Sequence, residues 1–176
     1  DQNVCWLLIG TIPLSSNSAS ALIWSVEKAL ERGIKIALDV NWRPTFWDLK
    51  NSPDSAPDQI AFSQIHNLLK KVSLIKLAKE EAIWFFNTSN PVMISKSLPN
   101  NPDVVVTDGG NAIKWFIQGF AGEMAALSPS RIIDTTGAGD AFTAGLLHQL
   151  LKCSSMKLNQ DTIPQLIRFA AACGAL

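Results

Sequence analysis

The 176-residue chain contains no tyrosine, three cysteines and only 17% charged residues, and it has no long apolar run. Compact apolar stretches such as residues 6–9 and 104–106 are far shorter than the roughly 20 residues of a membrane-spanning helix. Basic and acidic residues balance at 15 each, so the formal net charge is zero. The chain therefore gives no electrostatic reason to expect nucleic acid or an anionic membrane as a partner.

The cysteines and histidines are too few and too scattered to form a recognisable metal or disulfide pattern. Cys5, Cys153 and Cys173 are isolated and odd in number, which predicts small core residues in a reducing compartment. His66 and His148 fall in helical patterns without a nearby acid or cysteine. We expect both histidines to be structural or solvated rather than catalytic.

Several well-known catalytic and phosphate-binding motifs are also missing. No G-x-x-x-x-G-K-[ST] occurs, which excludes a P-loop protein. The pair Gly137 and Gly139 is followed by Phe142 where a dinucleotide fingerprint requires a third glycine. Neither a G-x-S-x-G nucleophile elbow nor an H-E-x-x-H pair is found.

The segments that are present alternate between strand-like and helix-like patterns. This alternation, with 47% apolar residues, predicts a globular α/β fold with a mostly parallel central sheet. Residues 43–57, 87–102 and 118–122 are expected to be connections, the second with one short helix. Strands are expected at residues 4–9, 34–40, 74–77, 104–107, 113–117 and around 124–127, and helices at 19–30, 58–71, 79–87, 140–151 and 163–175.

The richest chemistry lies in residues 134–140, with the sequence DTTGAGD, which lead into a helical pattern. Gly137 and Gly139 allow an anion to approach the main chain closely, since neither has a Cβ. The first turn of the helix adds unpaired N–H groups and the positive end of the helix dipole. Asp140 places a carboxylate beside this anion site. Such an arrangement suits phosphoryl transfer, which needs donors for the phosphoryl charge and a base for the attacking hydroxyl.

Residues 134–147 resemble the C-terminal signature of the PfkB, or ribokinase-like, family of sugar and nucleoside kinases. The resemblance implies a ribokinase-like three-layer α/β/α fold. It implies that Asp140 is the catalytic base and that Gly137, Ala138 and Gly139 form the anion hole. In relatives that use K+, it places Asp134 and Thr136 beside that ion.

A second element, Asp39-Val-Asn-Trp-Arg43, follows a predicted strand, where α/β proteins place ligand groups. It resembles the D-x-N-x-R element of the fructokinase-like branch. By this resemblance Asn41 and Arg43 face the sugar or the transferred phosphoryl group. A guanidinium suits bidentate contact with phosphate. The plain alternative is a polar loop with a surface arginine.

Two further elements resemble the family with departures. Glu81 aligns with the acid of N-x-x-E, which helps to hold Mg2+ through water, but Ala78 replaces the asparagine. The alternative is that the acid simply favours the first turn of a helix. Thr107 and Gly109 align with the nucleotide element T-x-G-x-x-G.

Three other positions also differ from the family's nucleotide site. Ala112 stands for the second glycine of T-x-G-x-x-G, and Asp108 replaces a usually apolar residue. Ala171 replaces an asparagine that contacts adenine in the family. An acid such as Asp108 would repel phosphates if it pointed inward.

Taken together, the resemblance implies an ATP-dependent sugar kinase, most like fructokinase, with ATP, Mg2+ and, in some relatives, K+. Residues 1–176 are expected to form a single partial kinase domain, without the N-terminal half that carries the lid and without the extreme C-terminus. On that basis the isolated chain is expected to be inactive. A small sugar is the expected partner, without nucleic acid or membrane, and the lid would form any homodimer. We expect a cytoplasmic protein, or a plastid protein if the source is eukaryotic.

Two alternatives stay open. One is a fructokinase-like protein without kinase activity that acts as a regulatory or interaction partner, which the departures at Asp108, Ala112 and Ala171 favour. The other is a kinase of the same family for ribose, adenosine or a keto-deoxy sugar acid.

Overall fold

A computed structural model describes residues 4–127, 134–153 and 158–175. In this part of the chain a six-stranded sheet has the order β1-β2-β3-β4-β5-β6. The first four strands are parallel, and β5 and β6 continue the sheet antiparallel. The predicted α/β fold with a mostly parallel sheet is confirmed. The strands are β1 (Trp6–Gly10), β2 (Lys35–Asp39), β3 (Leu74–Ala78), β4 (Asp103–Thr107), β5 (Ala112–Ile117) and β6 (Phe120–Ala125).

Helices connect the parallel strands and cover both faces of the sheet. Local sequence sets some of their starts: the Asp58 side chain accepts a hydrogen bond from Ala61 N–H at 2.7 Å, and the Asn90 side chain accepts one from Val92 N–H at 2.9 Å. The α-helices are α1 (Ala19–Glu31), α2 (Pro44–Trp47), α3 (Gln59–Leu69), α4 (Lys79–Phe86), α5 (Pro91–Ser97), α6 (Ala138–Lys152) and α7 (Thr162–Ala175), and Ile12–Ser15 forms a 3-10 turn.

The buried strand residues alternate between two apolar clusters, one on each face of the sheet. Ile36, Leu38 and Ile75 pack in the cluster that contains residues of α1, α3, α4 and α5. Ala37 and Leu74 pack in the cluster that contains residues of α6 and α7. This period of two is the geometry of a strand covered on both sides. The result is the three-layer α/β/α arrangement that the family resemblance implies.

Helices α6 and α7 pack closely because glycine occurs at two contact positions. A Cβ at Gly145 would lie 2.9 Å from Cys173 Sγ, and a Cβ at Gly174 would lie 2.8 Å from the carbonyl oxygen of Ala138. The end of α7 therefore lies against the start of α6. The glycine turn of residues 137–139, called the anion turn below, is expected at this place.

The structure corrects two connections. Residues 43–57 are not entirely a loop, since α2 occupies Pro44–Trp47; proline is well placed at the start of a helix. The hairpin between β5 and β6 is tighter than residues 118–122, because Gln118 and Gly119 both have positive φ and β6 begins at Phe120. Two such residues make a two-residue hairpin turn whose twist matches the strands. The apolar periodicity of β6 is weak, which explains the misplacement.

Gly122 in β6 provides a test of the sheet packing. It pairs with Trp115 of β5, and a Cβ at Gly122 would lie 2.3 Å from an atom of the buried Trp115 ring. Gly122→Val is therefore expected to lower the free energy of unfolding by about 1–3 kcal/mol, as overpacking does in cores. Chemical denaturation measures the effect. The control is Ala121→Val, at an exposed position of the same strand; equal stability of the two variants would contradict this account of the packing.

The cysteines differ in exposure, and both histidines stack on phenylalanine rings, His148 on Phe169 at 5.8 Å. Cys5 is exposed, which corrects the expectation of a core position, and Cys153 and Cys173 are partly buried. The His66 ring stacks on Phe62 at 5.5 Å, and burial, with Lys70 nearby, lowers the pKa of His66. His66 thus has the structural role that its pattern predicts. Across the described residues, we find no helix with the length and apolarity needed to cross a membrane.

Candidate active site

Most of the predicted site residues lie at one edge of the parallel sheet. Asp39 of β2, Ala78 of β3 and Thr107 of β4 end adjacent strands: Ala78 is the register partner of Thr107, and Asp39 pairs with Lys76. Asn41 follows β2 by two residues and Glu81 follows β3 by three. The carboxyl edge of a parallel sheet is where α/β proteins bind ligands.

Glu81 is buried and ties two of these strand ends together. Its Oε1 accepts a hydrogen bond from Trp42 N–H at 2.6 Å, and its Oε2 accepts one from Ala78 N–H at 2.7 Å. Burial raises the pKa of Glu81, while these two N–H donors oppose that rise. Both carboxylate oxygens are engaged by the backbone, so the side chain holds the loop after β2 against the start of α4.

The loop after β2 turns sharply at Asn41, whose φ is +42°. Non-glycine residues rarely adopt this left-handed conformation, and asparagine tolerates it better than most. The turn directs the N–H of Trp42 towards Glu81, and the Trp42 indole N–H donates to the Ser55 carbonyl at 2.7 Å. Trp42 therefore packs the loop through its backbone N–H and its indole ring.

Arg43 is exposed beside this turn. Its guanidinium donates to the Trp42 carbonyl at 3.2 Å. That single bond to the preceding residue leaves the planar group at the surface of the same edge, accessible to a ligand.

The anion turn has a left-handed backbone at Gly137, a conformation that favours glycine. Gly137 has a φ of +81° and precedes α6, which begins at Ala138. Asp140 lies in the first turn of α6 and is exposed to solvent. A cluster of helix N-terminal N–H groups and a solvent-accessible carboxylate thus occur within four residues.

Asp134 and Thr136 precede this turn and interact with each other. The Asp134 carboxylate accepts hydrogen bonds from Thr136 N–H at 2.9 Å and from the Thr136 hydroxyl at 2.8 Å. These two bonds lower the pKa of Asp134. Both side chains are exposed.

Beneath the turn lie two functional candidates that sequence reasoning missed, Lys76 and Thr143. Lys76 Nζ is 3.2 Å from Asp39 Oδ1, and the Thr143 hydroxyl donates to Asp39 Oδ2 at 2.7 Å. A Cβ at Gly139 would lie 3.1 Å from Lys76 Nζ. The available signal was a lysine inside an otherwise apolar buried strand, since lysine is seldom buried without a partner.

At the nucleotide element that follows β4, the charge of Asp108 is paired with a lysine. The Thr107 hydroxyl donates to the Leu77 carbonyl at 3.4 Å, and Gly109 has a φ of +51°. Asp108 forms an ion pair with Lys79, 2.8 Å between Oδ2 and Nζ, which lowers the pKa of Asp108. The negative charge of Asp108 is therefore matched by a neighbouring cation from α4.

Two further observations concern metal ligands and cavities in the described part of the chain. In residues 4–127, 134–153 and 158–175 we find no group of three or more histidine, cysteine, aspartate or glutamate side chains placed to hold a metal ion. A groove of about 630 Å³ lies elsewhere, between β6 and α7, and its described lining, which includes Trp115, Met124 and Phe169, contains none of the predicted site residues.

Comparison with known proteins agrees with this architecture. Residues 14–176 match the model of the family described as pfkB family carbohydrate kinase. The chain is 30% identical over 161 residues to "Probable fructokinase-6, chloroplastic" of Arabidopsis thaliana, a match that covers 89% of this chain and 40% of the relative. It spans less than half the length of that curated relative.

Solved structures give the same result for the fold. A fructokinase double mutant from Vibrio cholerae in fructose, ADP and potassium ion bound form has a TM-score of 0.75 at 27% identity, over 97% of this chain and 53% of the other. Aminoimidazole riboside kinase from Salmonella enterica, complexed with aminoimidazole riboside and an ATP analog, has a TM-score of 0.75 at 23% identity, over 97% of this chain and 55% of the other. The family match over residues 14–176, in a chain with this three-layer fold, shows that the chain belongs to the pfkB family of carbohydrate kinases.

Proposed function

We propose that the protein containing this chain is an ATP-dependent sugar kinase, most like fructokinase, that transfers the γ-phosphoryl group of ATP to a sugar hydroxyl. The observation that carries the proposal is the turn Gly137–Gly139 with Asp140, set at the carboxyl edge of the parallel strands. In this proposal residues 1–176 form the nucleotide and catalytic part of one kinase domain.

The proposed chemistry divides between the backbone and one side chain. N–H groups of Gly137 to Asp140 stabilise the charge on the transferred phosphoryl group, because helix N-terminal donors and dipole favour an anion there. Asp140 accepts the proton of the attacking hydroxyl; its exposure at the helix start leaves the carboxylate accessible to a sugar. General-base assistance of this kind typically contributes about 10²–10⁴-fold in rate.

Other residues at the edge have proposed binding roles. Asn41 and Arg43 contact the sugar or the phosphoryl group, since both lie on the loop that follows β2. Thr107 and Gly109 contact the nucleotide at the end of β4. The ion pair of Asp108 with Lys79, at 2.8 Å, offsets the charge that would otherwise repel phosphates. It therefore weakens the main electrostatic argument for an inactive regulatory protein.

The residues present fit Mg2+ held mainly by the nucleotide. Magnesium in kinases typically keeps several waters and binds through substrate phosphates and one or two carboxylates. Glu81 has both oxygens occupied by backbone N–H groups, so its proposed role is through water and not by direct ligation. When bound, Mg2+ would neutralise charge between the phosphates. For K+, the proposed ligands are Asp134 and Thr136, whose side-chain oxygens lie 2.8 Å apart.

The fructose assignment rests on similarity to proteins named fructokinase and is the finer part of the proposal. We also propose a cytoplasmic location. A plastid location is the alternative, because one relative is named chloroplastic.

The test is sugar-dependent ADP formation by the polypeptide encoded by the complete open reading frame that includes this chain. We expect turnover with fructose above that with ribose, adenosine and a keto-deoxy sugar acid. Higher turnover with one of the other acceptors would contradict fructose as the substrate but would still support the kinase proposal. Nucleotide binding without turnover on any acceptor would overturn the kinase proposal and favour the regulatory alternative.

A further inference from the structure

Three polar side chains are buried together on the α6 face of the sheet, below the residues assigned to the reaction. Asp39, Lys76 and Thr143 are 6%, 9% and 2% exposed. Asp39 is the common partner, 3.2 Å from Lys76 Nζ and 2.7 Å from the Thr143 hydroxyl. The three residues come from β2, β3 and α6, so the cluster joins two strands and the helix that carries Asp140.

The sheet register explains why these side chains meet. Asp39 and Lys76 are register partners in adjacent parallel strands. Each lies two residues beyond Ala37 or Leu74, which pack against α6 and α7, so both point to the same face. The pair is thus directed at the helix and away from the apolar cluster on the opposite face.

Thr143 connects this pair to the anion turn. It lies one helical turn after Gly139, and its hydroxyl is also 3.0 Å from the Gly139 carbonyl oxygen. A hydroxyl has one proton, and the shorter contact is to the carboxylate of Asp39, which makes the stronger, charge-assisted acceptor. The hydrogen bond therefore ties α6 to β2 one helical turn after Gly139.

A structural role alone gives little reason for such a cluster. Replacing a buried ion pair with well-packed apolar residues is often neutral or stabilising, whereas removing one partner is costly. The apolar cluster on this face contains residues of β2 to β5, α6 and α7, whereas the polar cluster lies beside the start of α6. Its location points to control of the helix start.

We propose that Asp39 is a positioning residue for phosphoryl transfer: through Thr143 it fixes the first turns of α6 on the sheet and so sets the position of Asp140 and the Gly137–Gly139 turn relative to the strand ends. The inference rests on the proposed kinase function. Lys76 acts as the counter-charge that holds the Asp39 carboxylate in place, with Nζ 3.2 Å from Oδ1.

The test uses substitutions of Thr143, which touches neither proposed substrate. Thr143→Val preserves the shape but removes the hydroxyl, and Thr143→Ser keeps it. In the complete polypeptide, Thr143→Val is expected to lower kcat about tenfold to a hundredfold, because small displacements of a catalytic group have effects of this size. The KM for sugar and for ATP should change much less. Thr143→Ser should recover most of the activity.

A second comparison separates positioning from loss of folding. Asp39→Ala and the double variant Asp39→Ala/Thr143→Val should reduce kcat to about the same level, because both remove the same link. Rates are corrected for the folded fraction measured by denaturation, and Ala144→Val, at an exposed neighbouring position, is the control. Independent, multiplicative effects, or a normal kcat for folded Thr143→Val, would overturn the proposal.

A different readout applies if the wild-type polypeptide proves to be no kinase. Amide hydrogen exchange of residues 141–143 is then compared between the complete wild-type polypeptide and its Thr143→Val variant. Loss of the link should speed exchange about tenfold, as expected for a lost charge-assisted hydrogen bond, with Thr143→Ser near wild type. Unchanged exchange would refute the positioning role itself, and failure of the kinase assay alone would refute only the function on which it rests.

Discussion

Asp140→Asn in the complete polypeptide is expected to reduce sugar phosphorylation by at least about a hundredfold, the lower end of what a general base supplies. The substitution keeps the size and polarity of the side chain but removes the basic carboxylate. ATP affinity should change little, since the N–H groups of the anion turn are unaffected. Because Asp140 is exposed, the fold should survive with only a small loss of charge–dipole stabilisation at the helix start.

Steady-state kinetics beside nucleotide titration measure these effects. The matched control is Asp161→Asn, which neutralises another exposed acid, just before α7. The start of α7 lies about 18 Å from the Gly174 end that packs on α6, by the rise of 1.5 Å per residue. Turnover of Asp140→Asn close to that of Asp161→Asn would mean that the base has been assigned to the wrong residue.

Gly139→Val is expected to act on binding and not only on turnover. A side chain at this position would fill the space through which a phosphate approaches the backbone N–H groups. It would also press on Lys76, because the Cβ would lie 3.1 Å from Nζ. We expect ATP affinity to fall at least about tenfold, since the charge-assisted hydrogen bonds to phosphate are the strong ones.

Calorimetric titration with a non-hydrolysable ATP analogue tests this expectation. Ala144→Val, also in α6 but on its exposed side, controls for the effect of a β-branched residue on the helix. Wild-type nucleotide affinity in folded Gly139→Val would exclude the turn as the phosphate site.

Much of the fold and part of the site could be predicted because they depend on local sequence. Strand β4 is a compact apolar run, helix α1 has an apolar stripe, and Gly137 marks a turn whose positive φ is set within the segment. The anion turn and Asp140 occupy consecutive residues. Their chemistry therefore does not depend on which distant element is nearby.

Other features depend on pairs that are far apart in the chain. Asp39 meets Lys76 across 37 residues and Thr143 across 104, and nothing local to any of them identifies the partner. From the sequence, Asp108 is expected to oppose phosphate binding; in the structure Lys79, 29 residues earlier, pairs with its charge. Strand β6 was misplaced because its residues alternate weakly and its start is set by the hairpin turn at Gln118 and Gly119.

The order of residues thus established the α/β class, the succession of strands and helices, and the turn that begins α6, since backbone preference and short-range hydrogen bonds act within a few residues. Only the tertiary structure decided the hydrogen-bond partners of Glu81, whose two carboxylate oxygens accept backbone N–H groups at 2.6 and 2.7 Å. It also decided that Asp39 connects β2 to the helix of Asp140. A buried charge needs partners at hydrogen-bonding distance, and only the sheet register and the packing of α6 bring those partners together.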